Sequence, residues 1–140
     1  MGRSTTSLRL DDDLRRRLSA LAEGEGTSLT SVVERLLREG LAVAEHPGIV
    51  FKPGPAGRRA SLAGGPDVWE IAAALLHTSG TEAERVKQLA QEFGLQDRQV
   101  VIALSYAASN RPEIEACIRA NEFALEEAKR IAGERKRLMA

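Results

Sequence analysis

Residues 5–10, Thr5-Thr6-Ser7-Leu8-Arg9-Leu10, alternate in polarity and run directly into two amphipathic helical patterns, 11–24 and 28–41. Side chains alternate across a strand, so Thr6, Leu8 and Leu10 share one face and Thr5, Ser7 and Arg9 the other. Asp11 is a good N-cap, and Asp12 and Asp13 place negative charge on the first turn. Leu14, Leu18 and Leu21 then recur at helical spacing, with Gly24 and Gly26 as stop signals. Ser28 is a second N-cap, opening a stripe of Val32, Val33, Leu36, Leu37 and Leu41. A lone strand leaves its backbone groups unpaired, and its cheapest partner edge is the same strand of a second copy. Neither helix can bury its stripe in a unit this small. The expectation is an obligate homodimer.

The run Ser7-Leu8-Arg9-Leu10-Asp11-Asp12-Asp13-Leu14, with the later Gly26-Thr27-Ser28-Leu29-Thr30-Ser31, resembles the ribbon-helix-helix repressors and antitoxins of the CopG, Arc and MetJ type. The resemblance covers roughly the first third of the chain. In that family an antiparallel ribbon enters the major groove of double-stranded operator DNA. It implies that Thr5, Ser7 and Arg9 read bases. Arginine can grip guanine in bidentate fashion, while the hydroxyls of Thr5 and Ser7 discriminate less. It also implies phosphate anchoring at Ser28, Leu29 and Thr30, where leading amides and the helix dipole favour an anion, with Arg3 beside the ribbon. The alternative is a solvated edge strand, which shows the same alternation.

Residues 1–45 hold seven Arg against eight acidic residues, so phosphate neutralisation by this segment should be modest. Positive charge is placed locally, at Arg3, Arg9 and the run Arg15-Arg16-Arg17. No apolar run approaches membrane-spanning length, and the N-terminus carries no secretory signal, so a cytoplasmic protein without membrane contact is expected. Cys117 is the single cysteine and reads as a small buried residue. His46 and His77 stand far apart without a supporting cluster. No nucleophile with its base, paired carboxylates or phosphate loop can be read, so no enzyme, metal or cofactor is expected.

Prolines and glycines break the helical pattern between residues 46 and 66. Within this stretch Ile49-Val50-Phe51 and Arg59-Ala60-Ser61-Leu62 read as a hairpin around residues 52–58, forming a connector between residues 1–45 and a helical unit over 67–140. Arg58 and Arg59, at its tip or rim, are candidates for DNA or an acidic partner, or simply a solvated loop. Four helices follow: one capped by Asp67 with Val68 to Leu76, one capped by Thr81 and stopped by Gly94, one from Asp97, and a long one opened by Pro112. The only tryptophan, Trp69, is expected to anchor their core. Ala90, Gly94 and Val100 have helix-turn-helix spacing, which would put Arg98 and Gln99 at the leading edge of a recognition helix; a tight helical hairpin in any bundle needs the same residues.

His46-Pro47-Gly48-Ile49, Gly57-Arg58-Arg59, Val68-Trp69-Glu70 and Ala103-Leu104-Ser105-Tyr106-Ala107 make this second unit similar to the small homeodomain-like domain of antitoxins encoded beside PIN-like ribonuclease toxins. The resemblance implies an antitoxin and autorepressor, in which the first unit binds operator DNA and the second holds a toxin. Glu122, Glu126, Arg130 and Arg135 on the last helix are the toxin-binding candidates. The alternative is a plain repressor whose C-terminal helices oligomerise or sense a ligand. The expected fold is mainly α: a ribbon-helix-helix dimer, which can assemble further into a tetramer, followed by a short β-hairpin and a four-helix, helix-turn-helix-like unit.

Overall fold

The computed structural model describes residues 2–54 and 57–140; Pro55 and Ala56 of the expected hairpin loop lie outside the described residues. The described residues form six α-helices, one 3-10 turn and one two-stranded antiparallel sheet. They divide into two compact units, one ending at Ala42 and one spanning Val43–Ala140.

The first unit is built on α1 (Asp12–Glu25) and α2 (Leu29–Glu45). The Asp11 side chain accepts from the Asp13 amide at 3.0 Å and so caps α1. Gly26 ends the helix in the left-handed region, φ 66°, with its N–H returning to the carbonyls of Ala22 and Glu23. Gly24, expected as a stop, lies inside α1, because the turn needs positive φ only at Gly26. Ser28 Oγ accepts from the Ser31 amide at 3.1 Å at the start of α2, and that helix runs four residues past its expected end at Leu41. Arg35 of α2 grips Glu25 of α1 through two bonds of 2.7 and 3.1 Å, and its Nε lies 3.5 Å from Glu39. The hydrogen bond to Glu25 chiefly, and the two carboxylate charges besides, raise the Arg35 pKa. Among the described residues of this unit only Ala22 and Val32 are buried. Residues 2–11 form neither helix nor strand. The strand expected over 5–10 is thus not formed within one copy, where it has no neighbouring edge to bond.

In the second unit β1 (Ile49–Lys52) and β2 (Arg59–Leu62) pair with Ile49 opposite Leu62 and Phe51 opposite Ala60. The helices α3 (Val68–Ala74), α4 (Glu82–Phe93), α5 (Asp97–Ser109) and α6 (Arg111–Met139) follow, with a 3-10 turn at Leu75–His77. Their starts are local chemistry. Thr81 and Glu84 close a reciprocal capping box on α4 with bonds of 3.2 and 2.9 Å, and Pro112 sits in the first turn of α6. Gly94 caps α4 at φ 65°, Ala90 is buried against the turn, and Val100 is fully buried. The three helix-turn-helix signals therefore build a tight α4–α5 hairpin.

The hairpin is part of this second unit and not a connector between units. Ile49, Ala60 and Leu62 are buried, and both strands pack on α5. Alternation over so short a strand does not reveal which face a helix will cover. Trp69 is also placed differently from expectation. It is half-buried and donates from Nε1 to Asp67 at 3.2 Å, whereas Tyr106 is the largest fully buried side chain. Tyr106 packs edge-on against His46 and Phe51 and donates to Glu113 at 2.8 Å, which satisfies its hydroxyl. Among the described residues no helix is long and apolar enough to cross a membrane.

Ile71 is fully buried, so Ile71→Ala should destabilise the second unit by about 2–5 kcal/mol through lost transfer energy and a residual cavity. Urea unfolding followed by Trp69 fluorescence measures this, since the chain's one tryptophan sits in the same helix.

Candidate nucleic-acid and partner interfaces

Thr5, Ser7 and Arg9 are all exposed, in the segment that precedes α1. Arg3 is 3.5 Å from Glu34 of α2, in a pair open to water whose strength is small. Of the first-helix arginines, Arg16 bonds Asp13 at 2.5 Å and Arg17 lies 3.8 Å from the same carboxylate, so part of this local positive charge is already offset. At the α2 start Ser28 and Thr30 are exposed and Leu29 is half-buried. The Ser28 hydroxyl accepts from the Ser31 amide and donates to the Ser31 hydroxyl at 2.8 Å.

Around these groups the large apolar side chains are open. Leu8 is 67% exposed, Leu37 55% and Leu41 62%, and Leu10, Leu14, Leu21 and Leu36 are each 38% or more. Large exposed apolar patches on a protein commonly mark a surface that a partner covers.

In the second unit Asp67 is a hub. Its carboxylate accepts from Arg59 Nε, Ser61 Oγ and Trp69 Nε1, while its own amide donates to Glu70 at 2.8 Å in the capping box of α3. Ser61 is fully buried, so this bond satisfies a hydroxyl that water cannot reach. Arg59 also donates to the Pro53 carbonyl at 2.9 Å and is thereby committed to the fold; it is a poor candidate for DNA or a partner. Exposed Arg58 donates to the Phe51 carbonyl at 3.3 Å. Gln99 likewise has a structural task, its side chain accepting from the Gln96 amide at 2.9 Å to cap α5, and Arg98 donates to the Gln96 side chain at 2.9 Å.

Cys117 is half-buried beside a small cavity of about 280 Å³ shared with Arg59, Asp67, Trp69 and Asn121. Burial first, then the charges of Glu113 and Asp67, push its thiol above the usual value, with Arg59 acting in the opposite direction. A larger groove of about 690 Å³ opens among α3, α4, α5 and α6, lined by Leu75, Leu76, Val86, Leu104 and Ile118. Glu82, Arg85, Arg111 and Glu115 stand on its rim.

The toxin-contact candidates Glu122, Glu126, Arg130 and Arg135 are all exposed on α6. Glu126 lies 3.9 Å from Lys129, and Arg130 bonds Glu127 at 2.5 Å, which holds the Glu127 carboxyl below its usual range. Phe123, which sequence reasoning passed over, is 72% exposed on the same side as Glu126 and Arg130. Its signal in the sequence is that it falls out of helical phase with the apolar Ile114, Ile118 and Leu125. The Arg35–Glu25 clasp and the Asp67 hub join residues eight or ten apart across turns, spacings that carry no periodic signal. No protein-family model, curated protein or solved structure matches the chain.

The raised thiol makes a direct prediction. Cys117 should react with iodoacetamide at pH 8 more slowly in the folded protein than in urea, because the thiolate is the nucleophile and burial disfavours it. The linkage sign follows. With the folded value above the unfolded one, the protonated thiol's contribution to stability is full below the unfolded value and falls as pH rises through the folded value. Cys117→Ala should flatten that alkaline loss, read as the urea midpoint against pH.

Proposed function

We propose that this chain is an antitoxin and autorepressor, which dimerises and binds operator DNA through its first unit and holds a toxin of the PIN-like ribonuclease class through its second. The observation that carries the reading is the open leucine surface of the first unit, with only Ala22 and Val32 buried among its described residues. A strand-forming segment without a partner edge and two helices with uncovered stripes are what one copy of a ribbon-helix-helix dimer presents. On pairing, the ribbon would carry Thr5, Ser7 and Arg9 outward on one face, with α2 starts supplying the phosphate contacts. Glu122, Glu126, Arg130 and Arg135 on α6, with Phe123 among them, supply a partner surface with an exposed aromatic anchor.

The groove among α3, α4, α5 and α6 favours a second reading, a plain repressor that senses an apolar ligand. Its volume of about 690 Å³ falls within the size range of small-molecule sites.

Co-expression with the product of an adjoining reading frame separates the two readings. A co-eluting complex that relieves growth arrest is the expected outcome; a harmless neighbour and a chain that runs alone overturn the antitoxin reading. Arg9→Ala should weaken operator binding by about 1–3 kcal/mol and relax preference at one base per half-site. Fluorescence anisotropy on matched and mismatched operators measures it, and an equal loss on all sequences would make Arg9 only a phosphate contact. Leu36→Asp should dissolve the dimer and abolish DNA binding together, because a charge buried without a partner costs several kcal/mol. Light scattering and the Trp69 unfolding transition, expected unchanged for the second unit, distinguish lost pairing from lost folding.

A further inference from the structure

One half-buried cation of the second unit has no counter-ion. Among the described residues three arginines are half-buried, Arg35, Arg59 and Arg85. Arg35 grips Glu25 and Arg59 grips Asp67, whereas no described carboxylate lies at ion-pair distance from Arg85. Arg85, on α4, is held by neutral acceptors instead. Its Nε donates to Thr78 Oγ1 at 2.9 Å and its Nη2 to the Leu75 carbonyl at 3.0 Å. These bonds fasten it to the turn after α3 and fix where its charge sits. Nη1 donates to nothing among the described residues, yet it is not sealed from solvent. A guanidinium partly withdrawn from water without an anion leaves its strongest kind of hydrogen bond unmade.

Arg85 lines the groove of about 690 Å³ among α3, α4, α5 and α6. Ala72 and Ala73 of α3 and Ala107 and Ala108 of α5 border that groove, and side chains so small leave it unfilled. The rest of its wall is aliphatic. Val86 and Ile114 are buried, Leu104 and Ile118 are half-buried, and Leu76 is 83% exposed. The other charges on the rim, Glu82, Arg111 and Glu115, are exposed and screened by water, so they select little. An aliphatic wall with one withdrawn, unpaired cation fits an apolar body that carries a single negative charge. A phosphate monoester would bring close to two charges, with Glu82 only three residues before Arg85 on the same helix. A carboxylate brings one, and offers two oxygens to the remaining N–H groups of Arg85.

We infer that the groove is a binding site for a small aliphatic monocarboxylate, with its carboxylate against Arg85 and its chain along Leu76, Leu104 and Ile118. The site is that of the ligand-sensing reading, on which this assignment rests; the chemical class of the ligand is what it adds.

Titration calorimetry of the full chain at pH 7 and low salt, with octanoate, octanol and octylammonium in turn, tests it. Octanoate should bind at least ~10-fold more tightly than octanol, the scale of a hydrogen bond to a charged group, and octylammonium should bind more weakly still. Exposed Leu76 gives the location without disturbing the core. Leu76→Glu and Leu76→Lys lose the same apolar contact and differ in charge, so octanoate should bind the first at least ~5-fold more weakly than the second. Arg85→Met should abolish the preference for octanoate over octanol, with the urea transition of Trp69 reporting that the unit is still folded. Octanol or octylammonium binding as tightly as octanoate overturns the assignment and leaves the ligand-sensing reading standing; failure of all three to bind overturns both. Equal octanoate affinity in the two Leu76 variants puts the anion elsewhere on the chain and overturns the assignment as well.

Discussion

Two helices and a ten-residue lead cannot enclose a core, and this limit shapes the whole first unit. Its apolar side chains lie along stripes that face water in one copy, with Val32 and Ala22 as the only buried residues among those described. The hydrophobic term scales with area removed from water, so a unit with so little burial gains little from folding alone. What holds α1 to α2 is correspondingly polar: the left-handed turn at Gly26 and the Arg35–Glu25 clasp. The leucines are left presented. The proposed dimer follows from that presentation, and the proposed DNA contacts follow from the dimer.

The second unit solves the same problem internally. Its hairpin covers one side of α5, α3 and α4 cover others, and Tyr106 fills the centre with its hydroxyl satisfied by Glu113. Asp67 links two elements, tying β2 through Arg59 and Ser61 to the start of α3, where it also accepts from Trp69. A buried serine and a half-buried arginine share one carboxylate there. Losing that carboxylate would strand both, which costs more than the net worth of any one bond. Having met its own burial needs with four helices and a hairpin, the unit leaves two features open, the apolar groove and the outer half of α6. Those features are where proposals about ligands and partners gather.

Much of this was legible in advance because it is local. Asp11, Thr81 with Glu84, Gly94 and Pro112 each satisfy or remove backbone groups within a single turn, so they mark helix ends wherever the chain goes next. The hairpin strands were visible for a similar reason, as short apolar runs between breakers. The helix reading failed at Gly24 because composition alone does not say which of two nearby glycines takes the positive φ. Arg59 and Gln99 look like free polar groups in a sequence; the one meets Asp67 eight residues on and the other caps its own helix through a bond of side chain to backbone. Trp69 reads as a core residue by size, yet its indole N–H bonds Asp67 and the ring is only half covered.

From residue 11 onward the amino-acid sequence by itself determined the order of the helices and hairpin strands, their approximate ends and the placing of apolar stripes, since each depends on residues within a few positions of one another; the strand expected over residues 5–10 is not formed. Tertiary structure alone decided that the hairpin belongs to the second unit, that Arg59 is spent on Asp67, and which stripes remain uncovered. Burial is the reason for the division. Whether a side chain meets water depends on surfaces brought in from distant parts of the chain, and that information exists only once the chain has closed on itself.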